Sequence, residues 1–418
     1  MATNDGHPRL AAGLSLLLLL CSCAHVRESR VNELQPVLAK AAYVPTGPHD
    51  YRFIDTIAKG KKILFVGEVP HGQGAALLGL WLHLRKDLGY SVLAIESRYS
   101  CWPYWQARSL GNAARLPNVI PESERIDDPR PWPGSLLAYN DKAPPDQRLV
   151  LTALDLDHAI ALFKPQTVLY LGYLASKSTS AELRAELAKT IPALVLLGGS
   201  DSTVPIRRKG RQQLHAYLDD LERQFHTGWD SFSPSDQEEI TFSLALEHAS
   251  IEFYRPSLKA PGPRPFKLRA EYFRTTIERA LAKAESAGGP LICYVGWGHA
   301  LLNQHGWEAA YFDKTYPATR GHVGSILVEK LSPSASFELN KDYRPSALEE
   351  AALARMADKD RIFVNLRDES WASVNHRPRK FFSKNGPNYD GVLFIKQGAH
   401  SPAGSAPANR SVSSTLTE

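Results

Sequence analysis

The run Lys62-Ile63-Leu64-Phe65-Val66-Gly67-Glu68-Val69-Pro70-His71-Gly72 sets four large apolar residues in a row, closes them with glycine and then turns polar. A short apolar run of this kind reads as a strand buried on both faces of a parallel sheet. Such a strand delivers whatever follows it to the crevice beyond the carboxyl ends, where open α/β sheets bind ligands. Here Glu68 and His71 follow, three residues apart, on a stretch loosened by Gly67 and Gly72 and stiffened by Pro70. An acid and an imidazole so placed can converge on one point. The plainer alternative is a loop with two solvated polar residues.

Working outward, Ala75 to Leu88 is apolar on nearly every side and ends at Gly89, which predicts a helix packed deep against the sheet. Ser91 to Glu96 reads as the next strand. Taken as the neighbour of the first, it places Glu96 roughly 5 Å to the side. Further strands are expected at Leu149–Leu154, Leu291–Val295, Ser325–Glu329, Ile362–Leu366 and Gly391–Ile395. Alternating strands and helices define an α/β fold, a mainly parallel central sheet flanked by helices. The stretch from about 159 to 287 is helical. Leu214, Leu218, Leu221 and Phe225 mark one helix, Ser233-Pro234 caps another, and Phe266, Phe273, Ile277 and Leu281 mark a third. It reads as an insertion capping the carboxyl edge of the sheet.

Each of the first strands ends in chemistry. Glu96 closes the second, Asp155 the third, and the fourth runs into Gly296-Trp297-Gly298-His299. A carboxylate at the end of an apolar strand is costly unless it is paired or faces a cleft. Glu68, His71, Glu96 and His299 therefore form the candidate catalytic set, with Asp155 as a supporting carboxylate. No G-x-S-x-G elbow supplies a serine nucleophile. Two histidines and two acids would also suit Zn²⁺ or Mn²⁺, although no H-E-x-x-H motif is present. Trp102-Pro103-Tyr104-Trp105 and Trp132-Pro133 are either pocket walls or aromatic loop packing. His158, His248, His305 and His322 read as ordinary.

At the amino end, Leu10 to Leu20 is too short to span a bilayer and reads as a signal-peptide core. Leu20-Cys21-Ser22-Cys23 resembles a lipobox, so Cys23 is the expected lipidated residue. Residues 1–22 would be the signal, 23–50 a tether, 51–398 the folded domain and 399–418 a disordered Ser/Ala/Pro/Thr tail. This predicts a lipid-anchored protein of the cell envelope, on the outer membrane or periplasmic face. Cys101 and Cys293 are then either a disulfide or two buried thiols. A net charge of +5 over 418 residues, without a basic block, argues against nucleic-acid binding.

Gly67-Glu68-x-x-His71-Gly72, then Leu88-Gly89-Tyr90 and a strand ending Ile95-Glu96, resembles the erythromycin esterase-like family. Trp132, Leu136-Leu137, Tyr139-Asn140 and Leu154-Asp155 are similar to the same family, as is the closing Tyr389-Asp390-Gly391-Val392-Leu393-Phe394-Ile395. The resemblance spans about Lys62 to Ile395. It implies metal-independent hydrolysis of a small-molecule ester or lactone, with His71 as general base. Glu68 or Glu96 would orient that base, and His299 would donate to the oxyanion or leaving group. One departure is Leu80, where family members usually carry arginine. The wider superfamily includes ChaN-like haem-binding lipoproteins and Tiki-type metalloproteases, and Tyr294-Val295-Gly296-Trp297-Gly298-His299 is similar to those relatives. That likeness implies haem or metal binding as the alternative function.

Overall fold

The computed structural model describes residues 28–47, 49–69, 77–101, 132–156, 165–192, 208–253, 263–331, 346–356, 359–375 and 377–396. The expected signal segment with Cys23, residues Pro70, His71 and Gly72, His158 and the residues beyond 396 lie outside them, as does the Cys101 side chain.

Strands β2 (Ile63–Val69), β3 (Val92–Arg98), β4 (Val150–Asp155), β5 (Leu291–Gly296) and β6 (Val323–Leu331) run parallel, joined by β10 (Gly391–Lys396). β7 (Arg361–Asn365) lies antiparallel to β10, and β1 (Ala42–Tyr43) antiparallel to β7. A small hairpin, β8 (Phe382–Ser383) with β9 (Gly386–Pro387), stands apart. The large sheet has the order β1-β7-β10-β6-β2-β5-β3-β4, an α/β architecture. The expected adjacency of β2 and β3 is corrected: β5 lies between them. Two strand spacings, about 10 Å, therefore separate their ends. Register sets Glu68 beside Gly296, and Ile95 beside Tyr294.

The pleat sorts side chains into two cores. Leu64, Val66, Leu93, Ile95, Ile292 and Tyr294 face one, which also holds Leu80, Trp81 and Leu84 of helix α2 (Leu78–Lys86). Ile63, Phe65, Val92, Ala94, Cys293 and Val295 face the other. Residues 28–41, expected as part of a tether, form helix α1. Its Leu34, Val37, Leu38 and Ala41, spaced i, i+3, i+4, i+7, are buried in this second core. The apolar stripe outweighs the tether reading. Cys293 is a free thiol buried in β5.

Between β3 and β5 come helices α3 (Trp132–Lys142), α4 (Pro165–Ala175), α5 (Ala181–Thr190), α6 (Arg208–Thr227), α7 (Pro234–Phe253) and α8 (Pro263–Ser286). Ser180 caps α5 by accepting from the Leu183 N–H at 3.2 Å, and Ser233 accepts from Asp236 N–H at 3.2 Å. α6 buries Leu214, Leu218, Leu221 and Phe225 at the expected spacing. α8 lies along β3, β4 and β5, burying Phe273, Ile277 and Leu281 in the second core. It covers the sheet itself. Helices α9 (Glu308–Lys314) and α10 (Ala347–Met356) complete the second layer.

Candidate active site at the carboxyl edge

Where β3, β4 and β5 end, three segments distant in sequence meet. Glu96 closes β3 and accepts from Arg269 Nη2 at 2.8 Å and from the Gly296 backbone N–H at the end of β5. Arg269 reaches over from α8 and forks onto Asp155, its Nε donating to Oδ1 at 2.9 Å and its Nη2 to Oδ2. Asp155 also accepts from the Leu156 N–H at 2.8 Å. His299 stands on the one-turn helix Trp297–Ala300. Its Nε2 lies 3.4 Å from Glu96 Oε1, and its Nδ1 lies 2.6 Å from Glu308 Oε2 of α9. Phe273 stacks flat on the imidazole, centroids 4.5 Å apart at 7°, and Trp307 meets it edge-on.

Burial disfavours charge on Glu96, Arg269 and His299, and pairing overcomes it. Burial pushes the Glu96 carboxyl up, but the hydrogen bond from His299 and the charges of His299 and Arg269 hold it far below the usual carboxylate range. Burial works against a charged His299 as well. Hydrogen bonds to Glu308 and Glu96 prevail and raise it to about 9. At neutral pH the ring is therefore an imidazolium. Its Nδ1 hydrogen is committed to Glu308, and its Nε2 hydrogen is held loosely across 3.4 Å. Such a group can give a proton or stabilise an oxyanion.

Glu68 is placed differently. It is buried, in pleat phase with Leu64 and Val66, and accepts from the hydroxyl of Tyr294. The end of β5 thus lies between Glu68 and Glu96. Gly67 is an in-strand residue, and its use is closeness. A Cβ there would sit 2.8 Å from the Ala300 Cβ and 3.1 Å from the Trp297 Cα. Gly298 likewise leaves room for the Trp307 ring, 2.8 Å from where its Cβ would lie. The glycines expected to free the chain for turning instead let the His299 turn settle onto β2.

Of the sequence-derived set, Glu96, His299 and Asp155 come together, Glu68 lies across β5, and His71 falls outside the described residues. Arg269, Glu308 and Tyr294 were missed. A signal existed for Arg269: a charged residue four positions before Phe273, in phase with the apolar stripe of its helix. Glu308 has no motif around it. Leu80, the family's arginine position, is fully buried. His83 on the same helix binds Asp55 and Asp87, and Arg85 donates to the Tyr90 carbonyl. The guanidinium at the carboxyl edge comes from α8. A divalent ion does not fit the Glu96–His299 pair. Both Glu96 oxygens take N–H donors, both ring nitrogens face carboxylates, and a guanidinium stands beside them.

No protein-family model matches the chain. A putative hydrolase, YbfO, of Bacillus subtilis strain 168 is 42% identical over 53 residues, 12% of each protein. The chain thus matches about an eighth of that curated relative's length. Solved structures share the fold far more broadly. A Bacillus cereus protein superposes with a TM-score of 0.58 at 12% identity, covering 88% of this chain and 97% of its own. A succinoglycan biosynthesis protein gives 0.58 at 13% identity over 89% and 97%. Erythromycin esterase EreC, as a histidine-to-asparagine mutant in its open conformation, gives 0.56 at 12% over 85% and 97%. The chain has the fold of erythromycin esterase.

Proposed function

We propose that the chain is a hydrolase of erythromycin esterase-like type, cleaving a small-molecule ester or lactone at the carboxyl edge of its sheet. The observation that carries this is the buried His299 ring, held between Glu96 and Glu308 beside Arg269. In this reading His71, three residues after Glu68 in the chain, removes a proton from water as the water oxygen bonds to the carbonyl carbon. An imidazole at its ordinary value of about 6.5 suits that task. His299 Nε2–H faces the developing oxyanion and protonates the alkoxide as the carbon–oxygen bond breaks, giving acid and alcohol. The proton on His71 then returns through solvent to His299. Arg269 keeps Glu96 ionised and in place. The likeness to EreC in fold and the short match to a putative hydrolase support the reading. In the same reading the chain is exported and anchored through lipid on Cys23.

A panel of aryl esters and lactones tests it. His71→Ala and His299→Asn should each lower kcat/KM by about 10²- to 10⁴-fold, the usual contribution of a positioned acid or base. Far-UV circular dichroism checks that both variants fold. The rate should fall on the alkaline side as His299 loses its proton near pH 9. Undiminished turnover in His71→Ala, or turnover that appears only when a divalent ion is supplied, would overturn the mechanism.

A further inference from the structure

Away from the sheet edge, α6 and α7 pack as a helical hairpin. His215 and Asp219 on α6, and His248 and Glu252 on α7, are two i, i+4 His–acid pairs that meet across its seam, with Glu222 one turn beyond Asp219. The two imidazoles lie edge to edge in nearly one plane, centroids 5.1 Å apart at 6°, with Nδ1 facing Nδ1 at 2.7 Å. His215 Nε2 lies 3.0 Å from Glu252 Oε1, and His248 Nε2 lies 3.5 Å from Asp219 Oδ1. One ligand atom each from Asp219, Glu222 and His248 lie within 4.8 Å of one another.

Hydrogens along this chain do not add up for two neutral rings. The contacts Glu252–His215 at 3.0 Å and His215–His248 at 2.7 Å each take one hydrogen, two neutral imidazoles bring two, and the Asp219 carboxylate still stands 3.5 Å from His248 Nε2. If His215 gives its Nε2–H to Glu252 and accepts the Nδ1–H of His248, the Nε2 lone pair of His248 faces two carboxylates. A lone pair and two carboxylates converging on one point form the donor set of a divalent ion that accepts both nitrogen and oxygen. His215 then plays the part usual for the partner of a metal-bound histidine, fixing its tautomer and passing the polarity on to an acid.

We propose that this hairpin binds one divalent ion of the zinc class through His248 Nε2, Asp219 and Glu222, with water completing the shell, and that the ion clamps α6 to α7. The imidazole selects zinc, cobalt or nickel over magnesium and calcium. The site is independent of the hydrolase reading, and removing the ion should lower Tm while turnover at 25 °C continues.

Titration of the metal-free full chain with Co²⁺ in excess Mg²⁺ tests this. One Co²⁺ per chain should bind with a visible d–d band and raise Tm. Asp219→Asn with Glu222→Gln, the first exposed and the second half-buried, should weaken Co²⁺ binding by at least about 100-fold. His215→Gln should weaken it by about 10- to 100-fold, as loss of a ligand's hydrogen-bond partner does. Circular dichroism confirms that the variants fold. Unchanged Co²⁺ affinity in the double variant would overturn the proposal. So would the absence of any band in the parent chain, since what joins His248 to Asp219 would then be a proton.

Discussion

Glu308→Gln separates the electrostatic role of the His299 pocket from its packing. The amide fills the same space and keeps an acceptor near Nδ1, but removes the charge that lies 2.6 Å from the ring. The His299 imidazole is raised from about 6.5 in the unfolded chain to about 9 in the fold, against the opposing effect of burial, by Glu308 and Glu96. A rise of that size is about 3 kcal/mol of stability. Because the folded value lies above the unfolded one, this stabilisation is complete below pH 6.5 and fades as pH climbs through 9. Glu96 shares in this rise, so Glu308→Gln should cost about 2–3 kcal/mol at pH 6. At pH 10, where the ring is neutral in both proteins, it should cost under about 1 kcal/mol. Urea unfolding of the parent and variant at both pH values gives the difference, and other titrating groups cancel in the comparison. An equal cost at pH 6 and pH 10 would mean that Glu308 contributes shape alone, and the charged-ring argument would fail.

Gly67→Ala forces a methyl against the Ala300 Cβ and the Trp297 backbone. It should lose about 1–3 kcal/mol by urea unfolding and disturb turnover, and a neutral result would refute the close-approach role. Arg269→Lys replaces a fork that serves Asp155 and Glu96 together with a single ammonium. A loss of about 2 kcal/mol is expected, with kcat/KM falling as well; full activity would show that Glu96 needs no guanidinium. Lys380 donates to Glu329 and, at 2.8 Å, to Glu349; burial and the neighbouring Glu349 push the Glu329 carboxyl up to about 8, so at pH 7 Glu349 is the ionised partner. Lys380→Met should cost about 3–5 kcal/mol at pH 7, and a loss below about 1 kcal/mol would remove the ion pairing from the account.

The sequence made the strands legible because each is a short apolar run stopped by Gly or an acid, and the site was legible where strands end. Glu96, Asp155 and His299 were found that way. What escaped was contributed by helices. Arg269 and Glu308 sit in amphipathic stretches where a charged residue ordinarily faces water, and nothing local says that these two face inward. The order of strands was also hidden, since hydrophobic pattern reports which residues pair with a sheet and not which strand lies alongside. Chain proximity argued for β2 next to β3, whereas the long crossover through α3 to α8 returns β5 to the slot between them. The helix α1 was overlooked because its stripe of Leu34, Val37, Leu38 and Ala41 is narrow and lies just after a signal-like segment.

The placement of β5 has a consequence for how the molecule is made. Until residue 296 has emerged from the ribosome, the nascent sheet holds an open slot one strand wide, with two unsatisfied parallel edges facing each other across it. Zipping those edges directly together would satisfy the backbone and lock out the late strand, a kinetic trap that long-range topologies invite. Every product ending before that point, however well its early helices form, lacks both β5 and the His299 turn that follows it.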